Sequence, residues 1–214
     1  MPGLSALLNI CDLFSGSLER RRFGGVDRTW SAVEFNRMIG KAVEAARDDI
    51  ACALYLGRFA GLRIHEVMRI DTATAEQALR EDAITIKGKG GNVRTVPIED
   101  ERVCVALETM LKRTDRGHKL FVPDGVPTDR AVNGVQLFIL KHRDDVADDN
   151  REANLTFHGL RHTCAAEKYR ILVENGMSAL DAHFTVSRLL GHERADVTNI
   201  YLASVKKKEA RDGE

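Results

Sequence analysis

Several residue types are scarce in this 214-residue chain, and each scarcity narrows what the protein can be. Aromatic residues make up 6% of the sequence, so the core must be built mainly from aliphatic side chains. Four prolines and a hydrophobic content of 43% fit an ordinary folded domain rather than a low-complexity chain. The length suits one domain, with or without a short extension.

The cysteines and the apolar segments exclude two further classes. The four cysteines include no CxxC pair, which argues against a zinc site or a disulfide framework. Cys52 and Cys164 lie within apolar stretches and are expected to be reduced core residues. No apolar run approaches the ~18 residues that span a bilayer, and residues 1–15 lack the basic start of a signal peptide. We therefore expect a cytoplasmic protein with no membrane partner.

Net charge is also absent, because 32 basic residues balance 32 acidic ones. Taken alone, this argues mildly against a nucleic-acid-binding protein. The charges are unevenly distributed, however. Residues 84–98 carry three basic side chains and no acid, residues 206–208 are all lysine, and residues 144–152 carry five acids. Such segregation can create a positive face for phosphate, although solvated loops explain charge runs taken alone equally simply.

The order of hydrophobic patterns predicts a mainly α domain with a small antiparallel β-sheet, an α+β fold. A β-hairpin is predicted from alternating segments at 83–87 and 93–98, with Pro97 at an edge strand and basic residues at the tip. The acidic segment 144–152 is predicted as a loop. Helices are predicted after residues 27–29 with Thr29 or Ser31 as cap, over 50–59, from about 61, and over 102–113, 131–143, 157–174, 179–190 and 197–208.

Two arginines lie where charged side chains are unexpected. Arg63 falls between apolar helical segments, and Arg161 falls near the start of an otherwise apolar helix. A buried arginine needs an anionic partner, and Glu66 could pair with Arg63, while Glu167 is the acid closest in sequence to Arg161. Alternatively, both guanidinium groups could bind an external anion, because their fork geometry matches a phosphate.

Four motifs in this chain together resemble the catalytic domain of tyrosine recombinases, the phage integrase family. Each motif alone is weak, but all four occur in the family's order over residues 27–203. They are GLRIHEV (61–67), KGKGGNVRTVPI (87–98), FHGLRHT (157–163) and LLGHERADVTNIYL (189–202). The resemblance implies the DNA breaking-rejoining enzyme fold of the tyrosine recombinase catalytic domain.

The resemblance also implies roles for the arginines and two histidines. Arg63 and Arg161 are similar to the pair that clamps the scissile phosphate. His158 and His192 are similar to the two supporting imidazoles. Preorganised cations aimed at the non-bridging oxygens would stabilise the charge that gathers there in the transition state. A histidine can accept or pass a proton near neutral pH.

The remaining catalytic roles fall on a lysine and a tyrosine. Lys89, flanked by two glycines, is similar to the general acid that protonates the leaving 5′-oxygen. Lys87 lies only two residues away, and a basic hairpin tip could instead bind DNA phosphates without a catalytic role. Tyr201 is similar to the nucleophile that takes the DNA 3′-phosphate. Taken alone, Tyr201 would be interpreted as a core aromatic residue; His192, nine positions before it, and Thr198 favour the nucleophile.

No metal or other cofactor is expected, because a phosphotyrosine retains the energy of the broken bond and rejoining needs neither ATP nor metal. His158 and His162 are four residues apart and could bind zinc from one helical face. The zincin pattern, however, needs a glutamate directly after the first histidine, and Gly159 stands there. His162 is therefore expected to be a packed or hydrogen-bonded helix residue.

The domain prediction places a linker or the remnant of an upstream element at 1–26, the catalytic domain at 27–205 and a polar tail at 206–214. The family's usual N-terminal helical domain has no counterpart in the 26 preceding residues, so this chain alone is expected to bind DNA weakly and with little sequence specificity. The side chains expected to contact DNA phosphates are Lys87, Arg94, Lys206 and Lys207. The segment ENGMSALDAHF (174–184) is interpreted as an enlarged helix–helix connection outside the site.

The function implied by the resemblance is site-specific recombination or integration on double-stranded DNA. The protein would be a monomer in solution, a homo-tetramer on synapsed DNA, and associated with the nucleoid. Two alternatives stay open. A non-catalytic DNA-binding accessory module could have the same fold, and a type IB topoisomerase-like enzyme or a resolvase would use the same residues.

Overall fold

The computed structural model describes residues 26–87, 93–149 and 151–191 of the chain. This part contains eight helices and one two-stranded antiparallel sheet, which confirms the predicted mainly α architecture. The elements, in chain order, are α1 (Ala32–Glu44), α2 (Asp48–Phe59), α3 (Ile64–Val67), α4 (Thr72–Glu81), β1 (Ala83–Lys87), β2 (Val93–Pro97), α5 (Glu101–Leu111), α6 (Thr128–Val146), α7 (Phe157–Glu174) and α8 (Ala179–Leu189).

Helix starts follow from side-chain caps that the sequence encodes locally. Ser31 caps α1 and forms a capping box with Glu34, which satisfies backbone N–H groups that have no partner within the helix. Thr156 caps α7 by accepting a hydrogen bond from the Gly159 N–H, and Ser178 caps α8. The cap at Thr156 fixes where the first turn of α7 begins.

Helix α2 lies at the centre of the molecule, packed against α1, α5 and α7. Its sequence is apolar on nearly every side, and Ile50, Leu54 and Leu56 have no solvent exposure. A helix that is hydrophobic around its whole circumference must be enclosed by neighbours on all sides. Helix α8 packs on α7 through a smaller cluster formed by Ala165, Val186 and Leu190.

The hairpin pairs Ala83 with Pro97 and Lys87 with Val93, as the alternating pattern predicts. Ile84, Ile86 and Val96 turn towards the core, and the sheet packs against α4. Residues 88–92, which join the two strands, lie outside the described residues.

Several predicted boundaries differ from the structure. Helix α4 was not predicted, because only its small residues Ala75 and Ala78 and its first residue Thr72 are buried and the pattern is weak. The helix predicted from about residue 61 is a single turn, α3, that begins three residues later. Helix α6 extends to the buried Val146, so the predicted acidic loop at 144–152 begins only after that residue.

Other predictions are confirmed in part, or concern residues outside the described part of the chain. Helices α7 and α8 agree with prediction to within one residue, and Gly176 follows α7 with the expected left-handed φ of 89°. Much of the segment 174–184 is helical, so the connection between α7 and α8 is only residues 175–178. The predicted helix 197–208, the tail and nearly all of the predicted linker 1–26 lie outside the described residues.

The thiols and the membrane prediction can be examined within the described part. Cys52 and Cys164 are free and buried, which confirms them as core residues. Burial raises the pKa of both thiols to about 11, so they are protonated and unreactive. In residues 26–87, 93–149 and 151–191 there is no helix of the length and hydrophobicity that crossing a bilayer requires.

Candidate active site

Arg161, the fifth residue of α7, has a fully enclosed guanidinium group. Its side chain is 1% exposed. It donates a hydrogen bond of 2.6 Å to the Gly61 carbonyl oxygen and another to the Leu190 carbonyl oxygen. Burying a charge is costly unless such partners compensate for the lost water. Arg161 therefore joins the segment before α3 to the end of α8.

Arg63 lies on the same side of the molecule but reaches solvent. It occupies the N-cap position of α3, and its side chain is 39% exposed. Its backbone N–H donates to Glu66 Oε2 at 2.7 Å, and its Nη1 donates to Glu66 Oε1 at 3.1 Å. The ion pair between residues 63 and 66 considered from the sequence is thus present, and it leaves part of the guanidinium accessible.

Glu66 is the common anionic partner of three arginines. Its side chain is 5% exposed, and besides Arg63 it accepts a hydrogen bond of 2.8 Å from Arg94 and lies 3.8 Å from Arg161. Burial alone would raise the pKa of this carboxyl, but Arg94, the Arg63 N–H and the other two guanidinium groups lower it below its usual range. Glu66 is therefore ionised, and three positive charges surround a single negative one.

His158 projects from the first turn of α7 beside these arginines. The residue is exposed, yet the surrounding protein removes water from its ring, and Arg161, Arg63 and Arg28 repel a proton there. Desolvation and these three positive charges lower its pKa to about 4. The imidazole is consequently neutral near pH 7. Its ring packs edge-on against that of His162, 5.0 Å away between centroids.

The acid near Arg161 is Glu66 rather than Glu167, the acid closest to it in sequence. Glu167 pairs with Arg58 on the other side of α7. His162 is buried and packed, as expected. Within the described residues, no cluster of three or more His, Cys, Asp or Glu side chains could hold a metal ion.

Two residues that support this site were not identified from the sequence. Trp30 donates from its ring nitrogen to the Thr156 carbonyl oxygen at 3.0 Å, and from its backbone to Thr163 Oγ1 at 2.8 Å. Gly159 lies so close to this segment that a Cβ there would be 2.5 Å from the Arg28 carbonyl oxygen. The sequence offered two signals for these residues. Trp30 is the single tryptophan of a chain with few aromatic residues, and Gly159 lies between His158 and Arg161.

A cleft of about 450 Å³ opens beside the histidine and the exposed arginine. Arg63 and His158 both line it, together with Arg143 and an apolar floor from α3, α6 and the start of α7. Positive side chains at the rim of a concave surface favour an anionic ligand. Arg63 and His158 therefore share this cleft, whereas Arg161, whose side chain is 1% exposed, is not among the residues that line it.

The predicted DNA-contacting residues of the hairpin differ in their surroundings. Lys87 is exposed at the end of β1. Arg94 in β2 turns inward, with its side chain 13% exposed, and donates to Glu66 and to the Leu189 carbonyl oxygen. Its described contacts are thus internal, and its contact with DNA stays a prediction.

The other predicted site residues lie outside the described residues. Lys89 belongs to the segment between the two strands, and His192 follows Gly191 directly in the sequence. Tyr201, Lys206 and Lys207 lie farther along the same terminal segment. Their roles remain predictions.

Known proteins resemble this chain in sequence and in fold. The sequence is 28% identical over 159 residues to tyrosine recombinase XerC of Caldanaerobacter subterraneus subsp. tengcongensis, covering 72% of this chain. The chain spans only 40% of the length of that relative.

Two solved structures share the fold. The crystal structure of XerA recombinase superposes with a TM-score of 0.62 at 20% identity, covering 88% of this chain and 66% of that one. The Tn1549 transposon integrase in complex with circular intermediate DNA superposes with a TM-score of 0.60 at 17% identity, covering 81% of this chain and 60% of that one. The sequence also matches the phage integrase family over residues 32–208. This chain belongs to the phage integrase family.

Proposed function

We propose that this chain is the catalytic domain of a site-specific DNA recombinase or integrase. It cleaves and rejoins double-stranded DNA through a 3′-phosphotyrosine at Tyr201. The observation that carries the proposal is the meeting of Arg63 and Arg161 at one ionised carboxylate, Glu66, with His158 close enough to both guanidinium groups for their charge to lower its pKa. These side chains come from distant parts of the sequence, and the phosphate-clamping role requires them to be together.

The charge at the site suits a phosphodiester. Arg63, Arg94 and Arg161 carry three positive charges against the single negative charge of Glu66, which leaves an excess for an incoming anion. The pentacoordinate transition state of phosphoryl transfer gathers further charge on the non-bridging oxygens. A preorganised donor to such oxygens typically contributes ~100- to 1,000-fold in rate.

The protonation state of His158 suits proton transfer at the same place. With a pKa of about 4 in the DNA-free protein, His158 is neutral and can accept a hydrogen bond or a proton. A phosphate bound nearby brings negative charge, which raises the pKa of an imidazole towards the working range. The phenol of Tyr201, with an ordinary pKa near ~10, needs such assistance to attack.

The remaining steps rest on residues assigned by resemblance. Lys89 protonates the leaving 5′-oxygen, and His192 supports the phosphate beside His158. Lys87, Lys206 and Lys207 contact the DNA backbone. The phosphotyrosine conserves the bond energy, so rejoining requires neither metal nor ATP.

Double-stranded DNA is the proposed partner. The Tn1549 transposon integrase, which shares the fold, was solved with DNA, and this supports the assignment. The protein would be monomeric in solution, tetrameric on synapsed DNA, and located with the nucleoid in the cytoplasm.

A covalent capture experiment tests the proposal on DNA of any sequence, so the target site need not be identified first. The chain is incubated with a library of nicked duplexes of random sequence, in buffer with a chelator and without ATP. The nick lets the fragment beyond the cleaved bond diffuse away and traps the phosphotyrosine. Adducts that survive denaturation are collected, their DNA is sequenced, and the attached peptide is identified by mass spectrometry.

The chain contains its own matched controls, because it has three tyrosines. Tyr201→Phe is expected to abolish the adduct, whereas Tyr55→Phe and Tyr169→Phe retain it. An adduct that survives Tyr201→Phe would overturn the assignment of the nucleophile. If the wild-type chain binds the duplexes but forms no adduct, the chain is a DNA-binding accessory module rather than an enzyme.

A further inference from the structure

We infer that Arg94 is a positioning residue for DNA cleavage: it fixes the hairpin to the end of α8 and keeps the Glu66 carboxylate from neutralising Arg161. The inference rests on the proposed function for its catalytic readout. It assigns Arg94 a role inside the protein, in place of the DNA contact that its basic, glycine-rich sequence surroundings predict.

One side chain joins three separate pieces of the chain here. Arg94 extends from β2, its Nη2 donates to Glu66 Oε2 at 2.8 Å on α3, and its Nη1 donates to the Leu189 carbonyl oxygen at the end of α8. Hydrogen bonds from a charged donor in a dehydrated setting are stronger than those between neutral groups. Arg94 therefore joins the hairpin to α3 and to the end of α8.

The contact with Glu66 decides which arginine the carboxylate neutralises. Oε2 of Glu66 lies 2.8 Å from Arg94 but 3.8 Å from Nη1 of Arg161. If the Arg94 guanidinium is removed, the attraction of Arg161 for this oxygen is no longer opposed. A small rotation of the carboxylate would then shorten its 3.8 Å contact with Arg161 to a hydrogen-bonded ion pair. That pair would withdraw positive charge from the position where the phosphate is to bind.

The packing of Arg94 reaches the backbone that leads to the remaining catalytic residues. Gly191 has a φ of 61°, and a Cβ at this position would lie 2.7 Å from Cδ of Arg94. The aliphatic part of Arg94 thus lies directly against the residue that precedes His192. Arg94 is also in the strand that follows the segment carrying Lys89. The same side chain therefore contacts Gly191 and belongs to β2, the described parts of the chain that adjoin His192 and the segment of Lys89 in sequence.

The burial of the Arg94 side chain favours a positioning role over a contact with DNA. The Arg94 side chain is 13% exposed, whereas that of Arg63 is 39% exposed. An arginine that neutralises a DNA phosphate contributes mainly to affinity, and its loss lowers the slope of log affinity against log salt by about one. A positioning residue instead contributes to the rate of the chemical step.

The test compares Arg94→Gln, Arg94→Lys and a control, Arg80→Gln, which removes an exposed arginine from α4. DNA recovered by covalent capture is used to measure affinity at several salt concentrations and single-turnover cleavage. Arg94→Gln should cleave ~10- to 100-fold more slowly, as is typical when a group that orients a functional residue is lost. Affinity and salt slope should stay unchanged. Arg94→Lys should recover part of the rate, because an ammonium group can pair with Glu66 but lacks the fork to reach Leu189 as well.

A spectroscopic readout makes the inference testable without catalysis. In DNA-free Arg94→Gln, the His158 pKa measured by NMR should rise relative to the wild type, because Arg161, paired more fully with Glu66, repels the imidazolium less. If wild type forms no DNA adduct, the proposed function fails, and the His158 pKa still decides whether Arg94 restrains Glu66. Arg94→Lys serves if Arg94→Gln does not fold.

Two results would overturn the inference. One is a cleavage rate and a His158 pKa in Arg94→Gln equal to those of the wild type. The other is a loss confined to DNA affinity, with the salt slope reduced by about one and the cleavage rate at saturating DNA unchanged. The second result would show that Arg94 contacts a DNA phosphate, as the sequence predicts.

Discussion

Oε2 of Glu66 lies 3.8 Å from Nη1 of Arg161, beyond the reach of a hydrogen bond. The same oxygen is much closer to Arg94 and to the backbone nitrogen of Arg63. The carboxylate thus lowers the repulsion among the arginines without pairing fully with the most buried one. Arg161 donates hydrogen bonds to the carbonyl oxygens of Gly61 and Leu190, which are neutral acceptors.

Replacing Glu66 with glutamine should destabilise the fold. The variant leaves three guanidinium groups close together with no negative charge among them, two of them largely buried. Removing one partner of a buried charge cluster typically costs ~3–5 kcal/mol in the free energy of unfolding. Chemical denaturation of Glu66→Gln measures the loss, and Glu76→Gln, which changes an exposed glutamate on α4, should be nearly neutral. Equal stability of the two variants would contradict the shared-carboxylate arrangement.

The same substitution should change how stability depends on pH. The arginines and the Arg63 N–H lower the pKa of Glu66 below its ordinary value of 4.5, against the opposing effect of burial. The stabilisation is therefore fully present above about 4.5 and is lost as pH falls through the lowered pKa. The difference in unfolding free energy between wild type and Glu66→Gln should shrink below pH 4.5. A difference that stays constant on acidification would show that Glu66 is not the titrating group.

Arg161→Lys tests the geometry of the clamp rather than its charge. The guanidinium fork donates simultaneously to the carbonyl oxygens of Gly61 and Leu190, and an ammonium group cannot reproduce that arrangement. The substitution should cost ~1.5–3 kcal/mol in stability for a lost charged hydrogen bond. Cleavage of captured DNA should fall ~100- to 1,000-fold. Arg80→Lys should preserve both quantities, and a variant at 161 that cleaves normally would remove Arg161 from the clamp.

His158 should titrate far below an ordinary histidine in the DNA-free protein. Desolvation and the positive charges of Arg161, Arg63 and Arg28 lower its pKa to about 4, from 6.5. His118 is a control within the same spectrum, because its hydrogen bond to Asp124 raises its pKa above 6.5. An NMR titration of the ring protons should therefore separate the two histidines on opposite sides of 6.5.

The low pKa also has a consequence for stability. Because the folded-state pKa of His158 lies below that of the unfolded chain, its contribution is fully present above about pH 6.5. That contribution decreases as pH falls from 6.5 towards 4. In His158→Asn the decrease should be smaller over this interval. A His158 signal that titrates near 6.5 would show that the arginines do not surround the ring.

Much of the helical framework could be predicted, because the relevant signals are local. The limits of α7 follow from the Thr156 cap and from Asn175 and Gly176 at its end, all within a few residues of the boundary. The position of the motifs GLRIHEV and FHGLRHT on α3 and α7 follows in the same way. Helix α4 was missed because its buried face consists mainly of alanines, which give little periodic contrast.

The inward orientation of Arg94 could not be predicted from its neighbours in the chain. Its partners are Glu66, 28 residues away, and Leu189, 95 residues away. A glycine-rich, basic segment favours an exposed phosphate contact, and only the assembled fold brings a carboxylate and a helix end to this side chain. The partners of Arg161 could not be predicted either, because Glu167, the acid closest to it in sequence, forms an ion pair with Arg58.

Gly191→Ala should impair both stability and cleavage, through two separable effects. Its φ of 61° is left-handed, and an alanine there costs roughly 1–2 kcal/mol. The new methyl group would also lie 2.7 Å from Cδ of Arg94, so that side chain must move and its bonds to Glu66 and Leu189 are disturbed. We expect slower cleavage in addition to a lower melting temperature.

Gly176→Ala isolates the second effect. Gly176 also has a left-handed φ, 89°, but a Cβ there meets no atom within 4 Å. This control should lose comparable stability while cleaving captured DNA at the wild-type rate, measured well below both melting temperatures. If the two variants cleave equally well, the contact between Gly191 and Arg94 has no bearing on the reaction. If only Gly191→Ala cleaves slowly, the displaced Arg94 side chain, rather than a general loss of stability, explains the slower cleavage.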